Sequence, residues 1–325
     1  MSDKISAGPE NTPNDVMVVG IGGIGGLMSA PLVGAFGSRI HLVETGPRKV
    51  ALLRHGLTIA SDVFGHVTVQ PADVTDSPRE LPHCDLILIC VKNPSLPSVI
   101  DSLRGCVDES TIIVPIMNGV TAHARLAEAF PEACVLPAAI YVVSYVQDDG
   151  TVVHKGDLCT VYVGPAGQDG DDAQAASAVA DLLGAAGIDC RVSDDIEAEV
   201  WHKYILNCAY NVVDTRWDCT TGDILRDHAK LSDFWLLMEE CAAVARARGV
   251  HIDPDIVRHN MDKLMHATDD STTSLHRDFK AGYVGELEVF SGDVVHMARS
   301  AGVPVPVSVR YYEALQEVSA GFIRP

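Results

Sequence analysis

The segment VMVVGIGGIGGLMSAPLVG, residues 16–34, restricts the fold of this chain more than any other feature. Four apolar residues predict a buried strand, glycines follow, and a further apolar segment predicts a helix. Gly20, Gly22 and Gly25 form the pattern GxGxxG, which at a strand–helix junction is typical of a dinucleotide site. There the glycines allow a tight turn, close approach of a pyrophosphate, and close packing of helix on strand. We therefore expect this loop, with Ile24, to bind a dinucleotide at the helix N-terminus; a purely structural turn is the alternative.

Continuous apolar runs separated by helical patterns follow the glycine loop, at residues 39–44 (RIHLVE), 85–91 (DLILICV) and 111–117 (TIIVPIM). Such runs are typical of parallel strands buried on both faces and linked by right-handed βαβ crossovers. From about residue 139, short β-rich segments with turn signals such as Asp149-Gly150 predict antiparallel strands added to the sheet. From about Asp194 onward the strand patterns stop, and only helical patterns follow.

The predicted fold class is therefore α/β: an N-terminal Rossmann-type parallel sheet with added antiparallel strands, followed by an all-α C-terminal domain. We expect a disordered tail at residues 1–14, a dinucleotide-binding domain at residues 15–193, and an all-helical domain at residues 194–325. The apolar helices of the last domain offer a surface for the substrate and for a possible homodimer.

Composition limits the class of partner. The 325 residues carry a formal net charge of -20, which disfavours nucleic acid and anionic membrane as partners. Nine cysteines occur without a CxxC pair, so we predict no metal site and a reducing compartment. The polar start, MSDKISAGPENTPND, has no signal-peptide pattern, and the apolar runs are too short to span a bilayer. These features predict a cytoplasmic protein that binds a small molecule.

Glu44, at the end of the second predicted strand, bears on the choice of dinucleotide. An acid at this place accepts the ribose hydroxyls of NAD and repels the 2′-phosphate of NADP. Arg48 and Lys49 follow closely and are able to hold a phosphate, or they form the solvated start of a helix. The sequence favours NAD and leaves NADP open.

A second unusual segment is VWHKYILNCAYN, residues 200–211, which has the composition of a buried helix. Lys203, Asn207 and Asn211 are spaced four and four, so on a helix they lie in one stripe. A partly buried lysine suits a ketone that accepts hydride, because desolvation makes the ammonium a better acid. Two asparagines on the same face can bind polar groups of a substrate without adding charge. The structural alternative is a lysine that reaches water and asparagines that bond neighbouring loops.

Five segments, taken in order, resemble the ketopantoate reductase family from about residue 15 to residue 320. They are VKNP (91–94), MNGV (117–120), DGTVVHKGD (149–157), EVWHKYILNCAYN (199–211) and TSLHRDFKAGYVGELEVFSGDVVHMARSAGVPVP (273–306).

This resemblance implies a role for each matching polar residue. Lys203 would be the catalytic acid, and Glu286 would pair with the lysine or orient the substrate. Four residues would bind substrate, namely Asn207, Asn211, Ser274 and Asn118. Lys92 and Asn118 would lie beside the cofactor. Helical spacing alone does not choose between Glu286 and Glu288, whereas the resemblance favours Glu286.

The chain departs from the family pattern at three places. Met117 stands where the family often has glutamine, and Glu44-Thr45 stand where NADP-using members commonly have a small residue and arginine. Asp214 lies near a point at which the family commonly has an apolar-threonine segment. The second departure favours NAD, and the third favours a substrate other than ketopantoate.

Three functions remain open. The first is NAD(P)-dependent reduction of a 2-oxo acid, with ketopantoate as the default substrate and a D-2-hydroxy acid as the product that the resemblance implies. The second is NAD-dependent oxidation of another 2-hydroxy acid. The third is a non-catalytic dinucleotide sensor, against which Lys203 and the asparagines argue, because a sensor needs no proton donor.

Overall fold

The computed structural model describes residues 13–167 and 170–324. Contacts divide the chain into two compact units. The first runs to Met117 and resumes at Thr121–Ile196, and the second holds Asn118–Val120 and the residues from Glu197 onward.

Of the predicted tail at residues 1–14, residues 1–12 lie outside the described part of the chain. The carbonyls of Pro13 and Asn14 accept hydrogen bonds from the Arg39 side chain at 2.8 and 2.6 Å. The Asn14 backbone N–H donates to Asp85 Oδ2 at 2.7 Å. These two residues are therefore attached to the first unit.

The first unit alternates strands and helices. Its strands are β1 (Val16–Val19), β2 (Ile40–Val43), β3 (Leu57–Ser61), β4 (Gly65–Val69), β5 (Asp73–Thr75), β6 (Leu86–Ile89), β7 (Ile112–Pro115), β8 (Cys134–Val135), β9 (Ala138–Val146), β10 (Val152–Val163) and β11 (Asp189–Val192). Its α-helices are α1 (Gly23–Phe36), α2 (Gly46–His55), α3 (Leu96–Leu103), α4 (Ala122–Ala129) and α5 (Gly170–Ala185).

Six of these strands form a parallel sheet in the order β5-β2-β1-β6-β7-β8. Its strands alternate between two apolar layers, as the two-residue period of a strand requires. Val16 and Val18 belong to one core cluster, whereas Met17 and Val19 belong to another. Because both faces are buried, these strands are continuous apolar runs, and the predicted Rossmann-type sheet is confirmed.

The added strands form a second sheet of their own. Its order is β11-β10-β3-β4, and β9 pairs with β10. The pairs β9–β10 and β3–β4 are antiparallel, whereas β10 pairs in parallel with β3 and β11. The antiparallel strands are thus present as predicted, but they build a mixed second sheet instead of extending the first.

The second unit is helical, as predicted. Its α-helices are α6 (Ile196–Trp217), α7 (Thr221–Arg226), α8 (His228–Ala247), α9 (Ile256–Met265), α10 (Ser274–Lys280), α11 (Asp293–Ala301) and α12 (Pro306–Val318). One apolar cluster, which includes Tyr204, Phe234 and Phe290, joins them. Gly249 and Gly302 have φ of +88° and +68°, and they follow the ends of α8 and α11 as C-terminal glycines do.

A single π-helical turn, Glu288–Gly292, precedes α11. The N–H of Asp293 bonds the Glu288 carbonyl, five residues back. Within the described ranges, no helix combines the length and the apolarity needed to cross a lipid bilayer.

Candidate functional site

The glycine loop joins β1 to α1. Gly20 has φ of +88°, and a Cβ there would lie 2.6 Å from Val91 Cγ1. A Cβ on Gly25 would lie 1.9 Å from the Gly20 carbonyl oxygen, so only glycine lets the helix start this close to the strand. A Cβ on Gly22 would meet no atom within 4 Å. The fold therefore requires glycine at Gly20 and Gly25, whereas open space lies beside Gly22.

This open space fits a pyrophosphate. Gly22 is the N-cap residue of α1, and no side chain caps the first turn. The uncapped N–H groups and the positive end of the helix dipole therefore favour an anion. Ile24 lies within that first turn, and Lys92 is an exposed residue that follows β6. The loop thus has the form that a bound dinucleotide needs.

Glu44 contacts the same loop. Its Oε2 accepts the Ile21 backbone N–H at 2.7 Å, and its Oε1 accepts the Thr45 backbone N–H at 2.8 Å. A carboxylate has about four acceptor positions, so two hydrogen bonds leave others for ribose hydroxyls. The acid is therefore held at the loop and can still bind a ribose.

Arg48 and Lys49 already have partners in the protein. Arg48 Nε donates to the Ile21 carbonyl at 3.1 Å, and Nη1 donates to the Gly150 carbonyl at 2.6 Å. Lys49 Nζ lies 3.0 Å from Asp76 Oδ1. Arg48 thus connects the loop to the turn between β9 and β10, which sequence reasoning missed because the turn lies 102 residues away.

A second set of polar side chains lies in the helical unit, around Lys203. The Lys203 ammonium donates to Asn118 Oδ1 at 3.4 Å, and the Asn118 amide donates to Glu286 Oε2 at 2.9 Å. Glu286 is only 5% exposed. Burial lowers the pKa of Lys203 to about 8, although the Glu286 carboxylate opposes this shift. A lysine with this pKa can donate or accept a proton near neutral pH.

The structure places Glu286, and not Glu288, beside Asn118. Gly285 precedes Glu286 with φ of +56°, and a Cβ at Gly285 would lie 2.5 Å from Asp278 Oδ2. Glu288 instead accepts a hydrogen bond from the Tyr312 hydroxyl at 2.7 Å and lies 3.2 Å from His296 Nδ1. The two acids therefore have separate surroundings.

The two asparagines of the stripe differ in their contacts. Asn207 is half-buried, and within the described residues its side-chain amide makes no hydrogen bond to the protein. Asn211 is 4% exposed; its amide donates to the Asn207 carbonyl at 3.0 Å. Its oxygen accepts the Leu275 N–H at 3.2 Å and the Ser274 hydroxyl at 3.5 Å. Asn207 is thus available to a ligand, whereas Asn211 holds the start of α10.

Asp214 continues this stripe, three residues after Asn211, and it is fully buried. Its Oδ2 accepts the Thr273 N–H at 2.7 Å, and its Oδ1 accepts the Thr273 hydroxyl at 3.0 Å. Burial raises the pKa of Asp214 to about 7. Sequence reasoning missed this contact, although the spacing of four, four and three already placed Asp214 on the same helix face.

One group in the described residues has the composition of a metal site. The ligand atoms of Glu288, Asp293 and His296 lie within 4.8 Å of one another. Glu288 and His296 are exposed and contact each other, and Tyr312 also bonds Glu288. Because protein groups surround this exposed cluster, we assign no metal to it, and the absence of a metal site stays a prediction.

Comparison with known proteins identifies the family. The N-terminal family described as "Ketopantoate reductase PanE/ApbA" matches residues 16–168, and its C-terminal counterpart, "Ketopantoate reductase PanE/ApbA C terminal", matches residues 195–319. Together the two matches cover the glycine loop, the helix that carries Lys203 and the turn that carries Glu286.

Individual relatives match along nearly the whole chain. A Bacillus subtilis protein named "Uncharacterized oxidoreductase YkpB" is 25% identical over 94% of this chain and 98% of its own length. The crystal structure of 2-dehydropantoate 2-reductase from Methylococcus capsulatus is 27% identical, with a TM-score of 0.83, and covers 94% of this chain and 97% of that one.

D-mandelate dehydrogenase, solved with NADH and anilino(oxo)acetate, shares the fold. Its TM-score is 0.84 at 19% identity, and the match covers 94% of this chain and 98% of that one. On the two family matches, which lie in order along both units, this chain belongs to the ketopantoate reductase family and is an NAD(P)-dependent oxidoreductase.

Proposed function

We propose that this protein reduces a 2-oxo acid to a D-2-hydroxy acid, with Lys203 as the general acid. The observation that carries the proposal is the connected group of Lys203, Asn118 and Glu286, in which the half-buried lysine donates to the Asn118 amide oxygen and that amide donates to the buried Glu286 carboxylate. Family membership supports the reaction class, and the geometry of the helical unit supports the assignment of the acid.

Lys203 has two roles in this proposal. A nicotinamide dinucleotide held at the glycine loop would supply the hydride for the carbonyl carbon, and negative charge would then develop on the carbonyl oxygen. The Lys203 ammonium stabilises that charge and donates its proton to the oxygen. The amide of Asn118, bonded to Glu286, limits the positions of the ammonium, and this reduces the reorganisation that the reaction requires.

The substrate carboxylate would bind between Asn207, one helical turn beyond Lys203, and Ser274, which contacts Asn211 two turns beyond Lys203. Asn207 offers an amide with no protein partner in the described residues, and Ser274 offers a hydroxyl at the first position of α10. Asn211 acts indirectly in this proposal, because its oxygen bonds the Leu275 N–H and the Ser274 hydroxyl. An uncharged donor set suits a substrate that must also leave as product.

For the cofactor we propose NAD in preference to NADP. Glu44 stands at the loop and would repel a 2′-phosphate. Lys49 contacts Asp76, and Arg48 donates from Nε and Nη1 to Ile21 and Gly150, while its buried Nη2 has no hydrogen-bond partner within the described residues. D-mandelate dehydrogenase, which has the same fold, was solved with NADH. The remaining acceptor positions of Glu44 would bind the ribose hydroxyls.

A second candidate is the NAD-dependent oxidation of another 2-hydroxy acid. The pKa of Lys203, lowered by burial to about 8, favours this candidate, because a neutral lysine is available as a base at slightly alkaline pH. The sensor function is disfavoured by the connected group of Lys203, Asn118 and Glu286, which a protein that only binds dinucleotide does not need.

The test is a substrate panel with purified protein. NADH and NADPH oxidation would be followed with ketopantoate, short aliphatic 2-oxo acids and phenylglyoxylate, and NAD reduction with the matching D- and L-hydroxy acids. The proposal expects reduction of at least one 2-oxo acid, with only the D-hydroxy acid active in reverse. Turnover of none of these acids, with NADH still bound, would favour the sensor.

A further inference from the structure

Helix α6 attaches to the start of α10 through two polar side chains. Asn211 and Asp214 are three residues apart on one face of α6, and they bond successive residues from Thr273 to Leu275. Thr273 is the N-cap residue of α10, and its hydroxyl accepts the His276 N–H at 3.3 Å. The substrate residue proposed above, Ser274, lies between these attachments.

We propose that Asp214 is a positioning residue for the substrate: it holds Thr273 and thereby sets the place of the Ser274 hydroxyl. The inference rests on the proposed 2-oxo acid activity and names a determinant of substrate affinity within it. Asp214 itself touches no substrate in this proposal, because its carboxylate is fully buried and bonded to Thr273.

A buried carboxylate is costly unless hydrogen bonds compensate it. Asp214 accepts the N–H and the hydroxyl of Thr273, and the hydroxyl of Thr215 lies 3.3 Å from its Oδ1. An apolar residue would pack in this place without that cost, as the apolar neighbours Val212 and Val213 do. We therefore infer that Asp214 fixes the position of Thr273, because it bonds both the backbone N–H and the side-chain hydroxyl of that residue.

Both hydrogen bonds run from donors of Thr273 to oxygens of Asp214, so this place requires a side chain with two acceptors. Thr273 has a single hydroxyl proton; donating it to Asp214 leaves the oxygen lone pairs free to accept the His276 N–H. A carboxylate accepts at both oxygens, which matches the two donors of Thr273. An asparagine has one oxygen acceptor, so its NH2 group would face either the Thr273 N–H or the hydroxyls of Thr273 and Thr215, which could then no longer donate to it. Asp214→Asn thus keeps the size of the side chain and loses the charge and the bonds donated to one of the two carboxylate oxygens.

The chain offers a matched control in Glu240. This carboxylate, on α8, accepts the N–H groups of Val307 and Ser308 at 2.8 and 2.7 Å and the Ser308 hydroxyl at 2.6 Å. It therefore attaches the first turn of α12 to another helix, as Asp214 attaches α10. No residue that we propose to contact the substrate lies on α12. Glu240→Gln is chemically equivalent to Asp214→Asn but acts at a helix without a proposed substrate residue.

The experiment compares wild type, Asp214→Asn and Glu240→Gln by melting temperature and steady-state kinetics with the best 2-oxo acid of the panel. Asp214→Asn should raise KM for the 2-oxo acid about tenfold, as expected for one lost hydrogen bond to a charged group. KM for NADH should stay within about twofold, because the cofactor loop is untouched. Glu240→Gln should lower the melting temperature to a similar extent and leave both KM values unchanged.

A second variant covers the case in which Asp214→Asn fails to fold. Thr273→Val removes the hydroxyl and keeps the backbone N–H bond to Asp214, and it should raise the same KM; Thr273→Ser should restore it. Unchanged KM for the 2-oxo acid in a folded variant, or equal rises in both KM values, overturns the positioning role. A wild-type protein that reduces no 2-oxo acid overturns the proposed function, and the inference with it, before any variant is made.

Discussion

The glycine loop and helix α6 build their sites in opposite ways. At the loop the missing side chains matter: Gly25 lets the helix start beside Gly20, and Gly22 leaves space for a ligand. On α6 the side chains matter, because Lys203 and Asn207 project from a regular helix at fixed spacing. The loop should therefore be damaged by adding atoms and α6 by removing them. Substitutions that separate binding from chemistry test this difference.

The largest effect is expected from Lys203→Ala. Removing a positioned acid should lower kcat by roughly 10² to 10⁴, while the affinity for NADH stays nearly unchanged. Lys263→Ala, at an exposed lysine of α9, is the matched control and should retain full activity. Stopped-flow and steady-state assays with the best 2-oxo acid measure both quantities. Wild-type turnover by the Lys203 variant would remove this residue from the mechanism.

Gly22→Val is the complementary change at the loop. The new side chain meets no protein atom near its Cβ, so the fold should persist, but it occupies the space that we assign to the pyrophosphate. NADH affinity should fall by about 100-fold, or about 2.7 kcal/mol, in a fluorescence titration. Gly34→Val, in the same helix and also without close neighbours, should bind normally. Equal affinities in the two variants would refute this placement of the dinucleotide.

The pH dependence of turnover tests the role of Lys203 on α6 without a mutation. Burial lowers the pKa of Lys203 to about 8, and reduction requires the protonated form. The rate of reduction should be constant below about pH 7 and fall by about tenfold for each pH unit well above 8. Oxidation requires the neutral form and should rise up to about pH 8. The same direction of change in both reactions would contradict the assignment of Lys203.

The smallest effect concerns Glu44 and the choice between NADH and NADPH. Repulsion of the 2′-phosphate should give NADH an advantage in kcat/KM of at least about tenfold. Glu44→Gln removes the charge, keeps an oxygen for the Ile21 N–H and loses the bond from the Thr45 N–H, so it should narrow the difference in kcat/KM between NADH and NADPH. Glu44→Ala loses the charge and the hydrogen bonds to the loop, and it should weaken the binding of both NADH and NADPH. A wild-type preference for NADPH would show that the cations outweigh Glu44.

The parts of the fold that the sequence predicted are those with local signals. Strands β1, β6 and β7 are buried on both faces and read as apolar runs. The hairpin β3–β4 was not predicted, because β4 is mostly exposed and β3 pairs with β10, about ninety residues later. The position of the added strands in a second sheet depends on such distant pairing.

The candidate site shows the same limit. The spacing of Lys203, Asn207 and Asn211 predicts a shared helix face, because helical geometry is local. What each residue contacts depends on partners such as Leu275, which lies 64 residues beyond Asn211. The different hydrogen-bond partners of Asn207 and Asn211 can therefore be seen only in the folded chain.

The π-helical turn at Glu288–Gly292 has a consequence for how the length of this protein can vary. A π turn closes over five residues where an α turn closes over four, so it contains one residue more than a regular helix needs. We expect related chains that lack one residue here to continue as an unbroken α-helix, with Glu286 before it and α11 after it intact. The segment is thus a natural place for a single-residue insertion or deletion close to Glu286.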